Sequence, residues 1–222
     1  MAIERSDIKA LRNSPIFKSI PVSFREELLK EVDARTKTLN EGILLCRAGD
    51  SLSYYPIVIS GRVQASMPQG GQDRVVCEFG PGDSFAEAVP HTLKHSPVNI
   101  RAVEPSRVLC IPAKQLEKST NPYAFVMREN LSVEMSKKIG VLSKTLSVVG
   151  EPRLTDRVLA YLHTLSPDEE GLVTVPFSRA EWATYLRVAE KSLIRELRAM
   201  QESGLIEVKG TRFALSSNKP GP

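Results

Sequence analysis

Cysteine is scarce in this chain of 222 residues: there are three. Cys46, Cys77 and Cys110 stand far apart, with no CxxC and no Cys/His ligand spacing, so neither a disulfide framework nor a zinc ribbon is written into the sequence. They are expected to pack as small hydrophobes. Long apolar runs are missing too. No stretch of about 18 apolar residues occurs, which argues against a membrane-spanning helix. The N-terminus MAIERSDIKALRNSPIF carries charges where a signal peptide needs its apolar stretch, so the expected location is the cytoplasm, with no membrane partner. Charge of one sign is likewise lacking: 30 Lys+Arg against 26 Asp+Glu leave a net +4, which permits a polyanionic partner without requiring one. Histidine is rare at three, and two of these, His91 and His95, lie four apart. No internal repeat or low-complexity run is present.

What is there falls into three textures. From Leu39 to Ile111 short apolar runs (ILLC, YYPIVI, VVCEF, RVLCI) are broken by Gly42, Gly49-Asp50, Gly61, Gly70-Gly71 and Gly80-Pro81-Gly82-Asp83. Such spacing predicts an antiparallel sandwich or barrel, with glycines in the turns that need positive φ. A helical lead-in precedes it, with Ile8, Leu11, Leu28, Leu29 and Val32 as its apolar residues. From Pro122 to Val149 the apolar residues Ala124, Met127, Leu131, Met135, Ile139, Leu142, Leu146 and Val149 recur every three or four positions, close to the seam of two paired helices. A helix that long, about 42 Å, predicts a dimer partner. Gly150-Glu151-Pro152 breaks the pattern and reads as a hinge. A short helix over Thr155 to Leu165 and a polar loop at 166–171 follow.

The last segment, PFSRAEWATYLRVAEKSLIRELRAMQESGLIEVKG, carries the chemistry. Ser178 and Glu181 fit a capping box, which starts a helix running to Leu186. After a turn, a second helix directs Leu193, Leu197 and Met200 inward. Ile206 to Val208 and Arg212 to Leu215, around Lys209-Gly210-Thr211, predict a hairpin that serves as a wing. Acids and bases balance within residues 151–222, so placement must decide. Arg187, Lys191, Arg195 and Arg198 follow steps of 4, 4 and 3, along a face opposite the apolar one. That face suits a major groove, with Arg195 bidentate to guanine, Lys191 on guanine or phosphate and Glu190 accepting from cytosine. Ser192 and Arg179 complete the expected DNA-contacting set.

This segment resembles, without a gap, the DNA-binding domain of the Crp/Fnr family of bacterial transcription regulators. The GD at 49, GRV at 61 and GDSF at 82 resemble that family's cyclic-nucleotide-binding-type β roll. The resemblance covers nearly the whole chain. It implies an α+β fold: an N-terminal antiparallel β roll of jelly-roll type with flanking helices over residues 1–121, a long dimerisation helix over 122–149, and a C-terminal winged helix-turn-helix over 150–222. It further implies a homodimer reading a partly palindromic operator on double-stranded DNA, with half-sites roughly 34 Å apart, with RNA polymerase as a further partner and an effector in the β roll. Arg195 falls on the family's base-reading arginine. Lys191 stands where glutamate is familiar and Glu190 where arginine or valine is, so a different half-site is expected. Arg187 replaces the usual turn glycine and Ala189 a serine or threonine cap, each at a cost of about 1 kcal/mol.

In nucleotide-binding members the segment after GDxF carries Gly-Glu for ribose and, about ten residues on, Arg-Ser or Arg-Thr for phosphate. Here Ala86-Glu87 and Ser96-Pro97 occupy those places, and no arginine lies between Arg74 and Arg101. A buried phosphate without that donor is prohibitive, so cyclic AMP or GMP is not the expected effector. An Fnr-type iron–sulfur cluster lacks its N-terminal cysteines. The wording FAEA at 85–88 resembles members that sense nitric oxide through haem or bind apolar ligands between roll and helix. On that reading Phe85, Glu87, His91, His95, Met127 and Leu131 line an effector pocket, haem being one candidate cofactor and the effector otherwise unknown. If Pro90 starts a helical turn, His91 and His95 share a face suited to Zn²⁺, yet no third ligand lies nearby; a metal-dependent enzyme is the reading from another class. Surface loop polarity is the remaining account of the pair.

Overall fold

The computed structural model describes residues 3–70 and 72–215. They fall into two compact units, divided between Lys137 and Lys138. The first begins with helices α1 (Arg5–Ala10) and α2 (Val22–Glu31), joined by two 3₁₀ turns. The joint is fastened by Arg25, whose guanidinium donates to the carbonyls of Ile20, Phe17, Leu11 and Arg12 at 2.9 to 3.3 Å. An arginine is buried here because its rigid fork of donors meets several carbonyls at the helix ends, two of which, those of Leu11 and Phe17, also accept a backbone N–H.

Strands β1 (Arg35–Leu39), β7 (Ser106–Pro112) and β3 (Tyr54–Ser60) make one antiparallel sheet in the order β1-β7-β3. Strands β2 (Leu44–Cys46), β6 (Asn99–Ala102), β4 (Val63–Gln69) and β5 (Gln72–Phe79) make the other, in that order. Between the sheets Val58, Val108 and Cys110 cluster with Cys46, Val63, Ala65, Ile100 and Phe85. The outer face of the three-stranded sheet, through Ile57, Ile59, Leu109 and Ile111, packs on Phe17, Leu28, Leu29, Leu116 and Met127. This sheet is therefore covered on both faces, which is why YYPIVI and VLCI read as unbroken apolar runs rather than alternating ones. Gly61 closes the β3–β4 turn at φ +77°, and a Cβ there would lie 2.4 Å from the Pro105 carbonyl oxygen. Only glycine fits both conditions.

After α3 (Ala113–Lys118) the long helix α4 spans Pro122–Gly150, and the boundary between the units falls inside it. Its sequence stripe does not stay on one face. Ala124, Met127 and Leu131 are buried in the first unit's own core, whereas Ile139, Leu142 and Leu146 are 59%, 60% and 65% exposed. Three successive steps of four residues, from Met127 to Ile139, rotate the stripe by about 120° on a helix that turns 100° per residue. The single seam expected over 124–149 is thus corrected to two faces. The exposed one continues back from Ile139 through half-buried Met135 and exposed Ser132, at steps of 4 and 3, and seven residues further back to exposed Phe125.

In the second unit the end of α4 contributes Val148 to a core with Val158, Leu162, Trp182, Leu193, Leu197 and Phe213. Helix α5 runs Leu154–His163, slightly N-terminal to the expected span. It is followed by β8 (Val173–Thr174), α6 (Arg179–Tyr185), α7 (Glu190–Glu202), β9 (Ile206–Lys209) and β10 (Arg212–Leu215). The hairpin β9–β10 forms where the sequence predicts it. The pairing of β8 with β10, which makes a three-stranded sheet, was not foreseen, since two residues are too few to show a period.

Candidate nucleic-acid interface

Helix α6 starts as its sequence requires. The Ser178 hydroxyl accepts from the Glu181 N–H at 3.2 Å, and the Glu181 carboxylate accepts from the Ser178 N–H at 2.8 Å. Hydrogen bonding to the Glu181 carboxylate from Ser178, its backbone N–H first and its side chain second, holds that carboxyl below its usual range. The helix ends at Leu186, and Arg187 turns the chain at φ +57°, the left-handed conformation expected of a residue in a glycine's place. Its N–H donates to the Thr184 carbonyl at 3.1 Å, and that of Val188 to Ala183 at 3.0 Å. Arg157 braces the turn from α5, with one guanidinium nitrogen 3.2 Å from the Leu186 carbonyl and another 2.7 Å from that of Glu151. This clasp is a sequence-distant contact that offsets the missing glycine. Ala189 opens α7 in extended conformation with no side-chain cap, leaving the first N–H groups of α7 available to an outside acceptor such as a phosphate oxygen.

Along α7, Leu193, Leu197 and Met200 are buried while Glu190, Lys191, Arg195 and Arg198 are exposed. Ser192 is half-buried on the flank. Glu196, on the same helix, accepts from the Thr155 hydroxyl and so faces α5. The exposed face is a row of three cations with one acid at its N-terminal end, presented by a helix whose opposite face is packed into the core.

Arg179 stands apart from that row. It is half-buried, donates to the Gly210 carbonyl at 2.8 Å, and lies over the rings of Phe213 at 5.1 Å and Trp182 at 5.7 Å. Burial lowers its pKa. The residue thus joins α6 to the wing. Sequence reasoning missed this because the partners lie 31 residues or more away, or inside its own helix. The wing is tied down a second time by Arg212, 2.6 Å from Asp168 and 3.1 Å from Glu170. This arginine holds the Asp168 carboxyl below its ordinary range, and it partly neutralises the acidic 168–170 loop.

The six residues expected to line an effector pocket do not converge. Phe85 is buried between the two sheets, stacked on Phe79 with ring centroids 5.3 Å apart. Glu87 is buried close by, accepting from the Ser84 hydroxyl three residues earlier. Met127 and Leu131 belong to the other core, beneath the outer face of the three-stranded sheet. His91 and His95 are exposed on and after a π-helical turn, Val89–Leu93, with His91 Nδ1 3.6 Å from Glu117 and His95 Nδ1 3.0 Å from the Gly49 carbonyl oxygen. A covered sheet separates the two apolar sets, which corrects the expectation of one shared pocket. Ser96 is buried, its hydroxyl donating to the Val98 carbonyl at 2.7 Å, and its backbone is paired with Gly49 and Asp50. Arg101, the nearest arginine after it, donates to the Gly42 carbonyl at 2.6 Å.

Comparison with known proteins finds two domain families in the chain. Residues 36–121 match the cyclic nucleotide-binding domain family, and residues 156–217 match the Crp-like helix-turn-helix domain family. The transcriptional activator protein FnrA of Stutzerimonas stutzeri is 24% identical over 191 residues, covering 83% of this chain and 78% of that protein. The fumarate and nitrate reduction regulatory protein of Escherichia coli K12 is 24% identical over 210 residues, covering 90% and 83%. Among solved structures, the c-di-GMP responsive global regulator CLP of Xanthomonas campestris shares the fold, with a TM-score of 0.52 at 22% identity over 89% of this chain and 100% of that chain.

Proposed function

The chain belongs to the Crp/Fnr family of DNA-binding transcription regulators, and we propose that it acts as a homodimer whose two α7 helices read a partly palindromic operator, under an effector that is not a cyclic nucleotide. The observation that carries the reading is the row Lys191, Arg195 and Arg198, exposed on α7 opposite a buried face of Leu193, Leu197 and Met200. Arg195 pairs with a guanine edge, Lys191 with guanine or phosphate, and Glu190 with a cytosine amino group, while Ser192 and Arg187 contact the backbone. Arg198 extends the row toward phosphate. The N–H groups at the uncapped start of α7 donate to a phosphate oxygen. The exposed seam of Ile139, Leu142 and Leu146 is the surface on which a second copy pairs. RNA polymerase is the further partner of such a regulator, and the cytoplasm is where it works; no described helix is long and apolar enough to cross a membrane.

A buried cyclic phosphate needs a cation, and the Ser96-Pro97 segment supplies none: its hydroxyl is spent on its own backbone. Haem does not fit His91 or His95, which are exposed and engaged with Glu117 and Gly49 rather than set beside an apolar cavity. The test is selection of bound sequences from random duplexes. Enrichment of two inverted half-sites about one DNA turn apart, unchanged by added cyclic AMP or cyclic GMP, is the expected result. No enrichment refutes the DNA reading, and an affinity that rises with either nucleotide refutes the effector reading.

A further inference from the structure

The charged face of α7 holds one residue that electrostatics does not explain. Ile194 is 43% exposed, although a β-branched aliphatic side chain gains most from burial. Its neighbours one helical turn away are Glu190, Lys191 and Arg198, all exposed, and Leu197, which is buried. Lys191, Ile194, Arg195 and Arg198 follow the i, i+3, i+4, i+7 spacing of one helical face, so any surface that meets the arginines meets Ile194 as well. The second unit covers it only in part and leaves this much of it open. A lysine or glutamine would have been soluble there and would have added a phosphate or base contact.

We propose that Ile194 is a specificity-determining residue that reads the C5-methyl group of a thymine in the major groove. This rests on the DNA-reading function above. The major groove offers one apolar feature, the thymine methyl, and aliphatic side chains recognise it by contact alone. Ile194 and Arg195 are adjacent, with Cα atoms about 3.8 Å apart, close to the 3.4 Å rise of one base step. The thymine therefore lies at the base pair read by Arg195 or at the one beside it. The arginine's hydrogen bonds and the isoleucine's methyl contact then specify neighbouring positions by different chemistry. The acidic Glu190 and cationic Lys191, one turn earlier, frame the apolar contact without competing for it.

The experiment uses the full-length dimer and the operator obtained by selection. Each thymine is replaced singly by deoxyuridine, which removes only the methyl group, and affinity is measured for the wild-type protein, Ile194→Ala and Ile194→Val. The wild type is expected to lose affinity about fourfold per half-site at one thymine adjacent to the base that Arg195→Ala relaxes, which is the value of one buried methyl group. Ile194→Ala should bind the thymine and uracil operators equally, and Ile194→Val should retain part of the discrimination. The proposal is overturned if the wild type tolerates uracil at every position, or if its loss persists unchanged in Ile194→Ala. A selection that enriches no sequence overturns instead the reading on which the proposal rests, a distinguishable failure.

Discussion

Truncating Leu142 to alanine tests whether the exposed seam of α4 holds two copies together. Leu142 is 60% exposed in the single chain, so about that fraction of its side chain is newly buried when a second copy covers it. Removing three carbons at roughly 0.8 kcal/mol each, scaled by that fraction, costs about 1.4 kcal/mol per protomer and about 2.9 kcal/mol per dimer. The dimer dissociation constant should rise roughly a hundredfold. Sedimentation equilibrium over a range of protein concentrations measures it. Val141 supplies the control: it is 64% exposed, as open as Leu142, but lies one residue off the seam. Val141→Ala should leave the association unchanged. Both variants should keep the thermal stability of the dissociated chain, because neither side chain is in a core. If the two substitutions weaken the dimer equally, or neither does, the seam is not the interface and the reasoning fails.

Arg195→Ala should cost about 1 to 3 kcal/mol per half-site and relax preference at a single base pair, as read by competition between operator and mutated operators; a uniform loss on operator and random DNA alike would make the residue a phosphate contact. Arg179→Ala should destabilise the second unit by about 2 kcal/mol in urea, from one hydrogen bond and two ring contacts, without changing the salt dependence of DNA binding. A slope reduced by about one unit with stability intact would return Arg179 to the phosphate contacts. Burial pushes the Cys110 thiol up to about 11, against an ordinary 9.0. Below about pH 9 both states hold the proton and nothing changes. Between about 9 and 11 the unfolded chain gives it up first, so the stability advantage of the wild type over Cys110→Ala should shrink by up to about 3 kcal/mol as pH rises; a constant difference across that window refutes the assignment.

Legibility in the sequence followed the range of the interactions. The capping box of Ser178 and Glu181 and the positive φ of Arg187 depend on residues within a few positions, and both stand where the sequence puts them. The outline of the sheets was readable because turn glycines such as Gly61 answer to backbone geometry. Periodicity located the buried face of α7, yet in α4 it ran two stripes into one. The letters Ala124 and Leu142 do not reveal that the first meets a sheet of its own domain and the second meets solvent. The clasps of Arg157 on Leu186, Arg179 on Gly210 and Arg212 on Asp168 span 29 to 44 residues and leave no local trace. The pairing of Phe85 with Met127 failed for the same reason, since a covered sheet between them carries no signal in either neighbourhood.

The division of α4 between two cores has a consequence for the order of events during synthesis. The two cores of the first unit, one between the sheets and one joining the roll to its flanking helices and the first turns of α4, are complete once Leu131 has emerged. An N-terminal unit of this kind closes while the rest of the chain is still being made. Its closing fixes the start of α4 before Ile139, Leu142 and Leu146 leave the ribosome, so the apolar seam grows from an anchored base rather than from a free coil, and the costly first turn of the helix is already formed. The seam is thus laid out before the winged helix that carries α7 is complete.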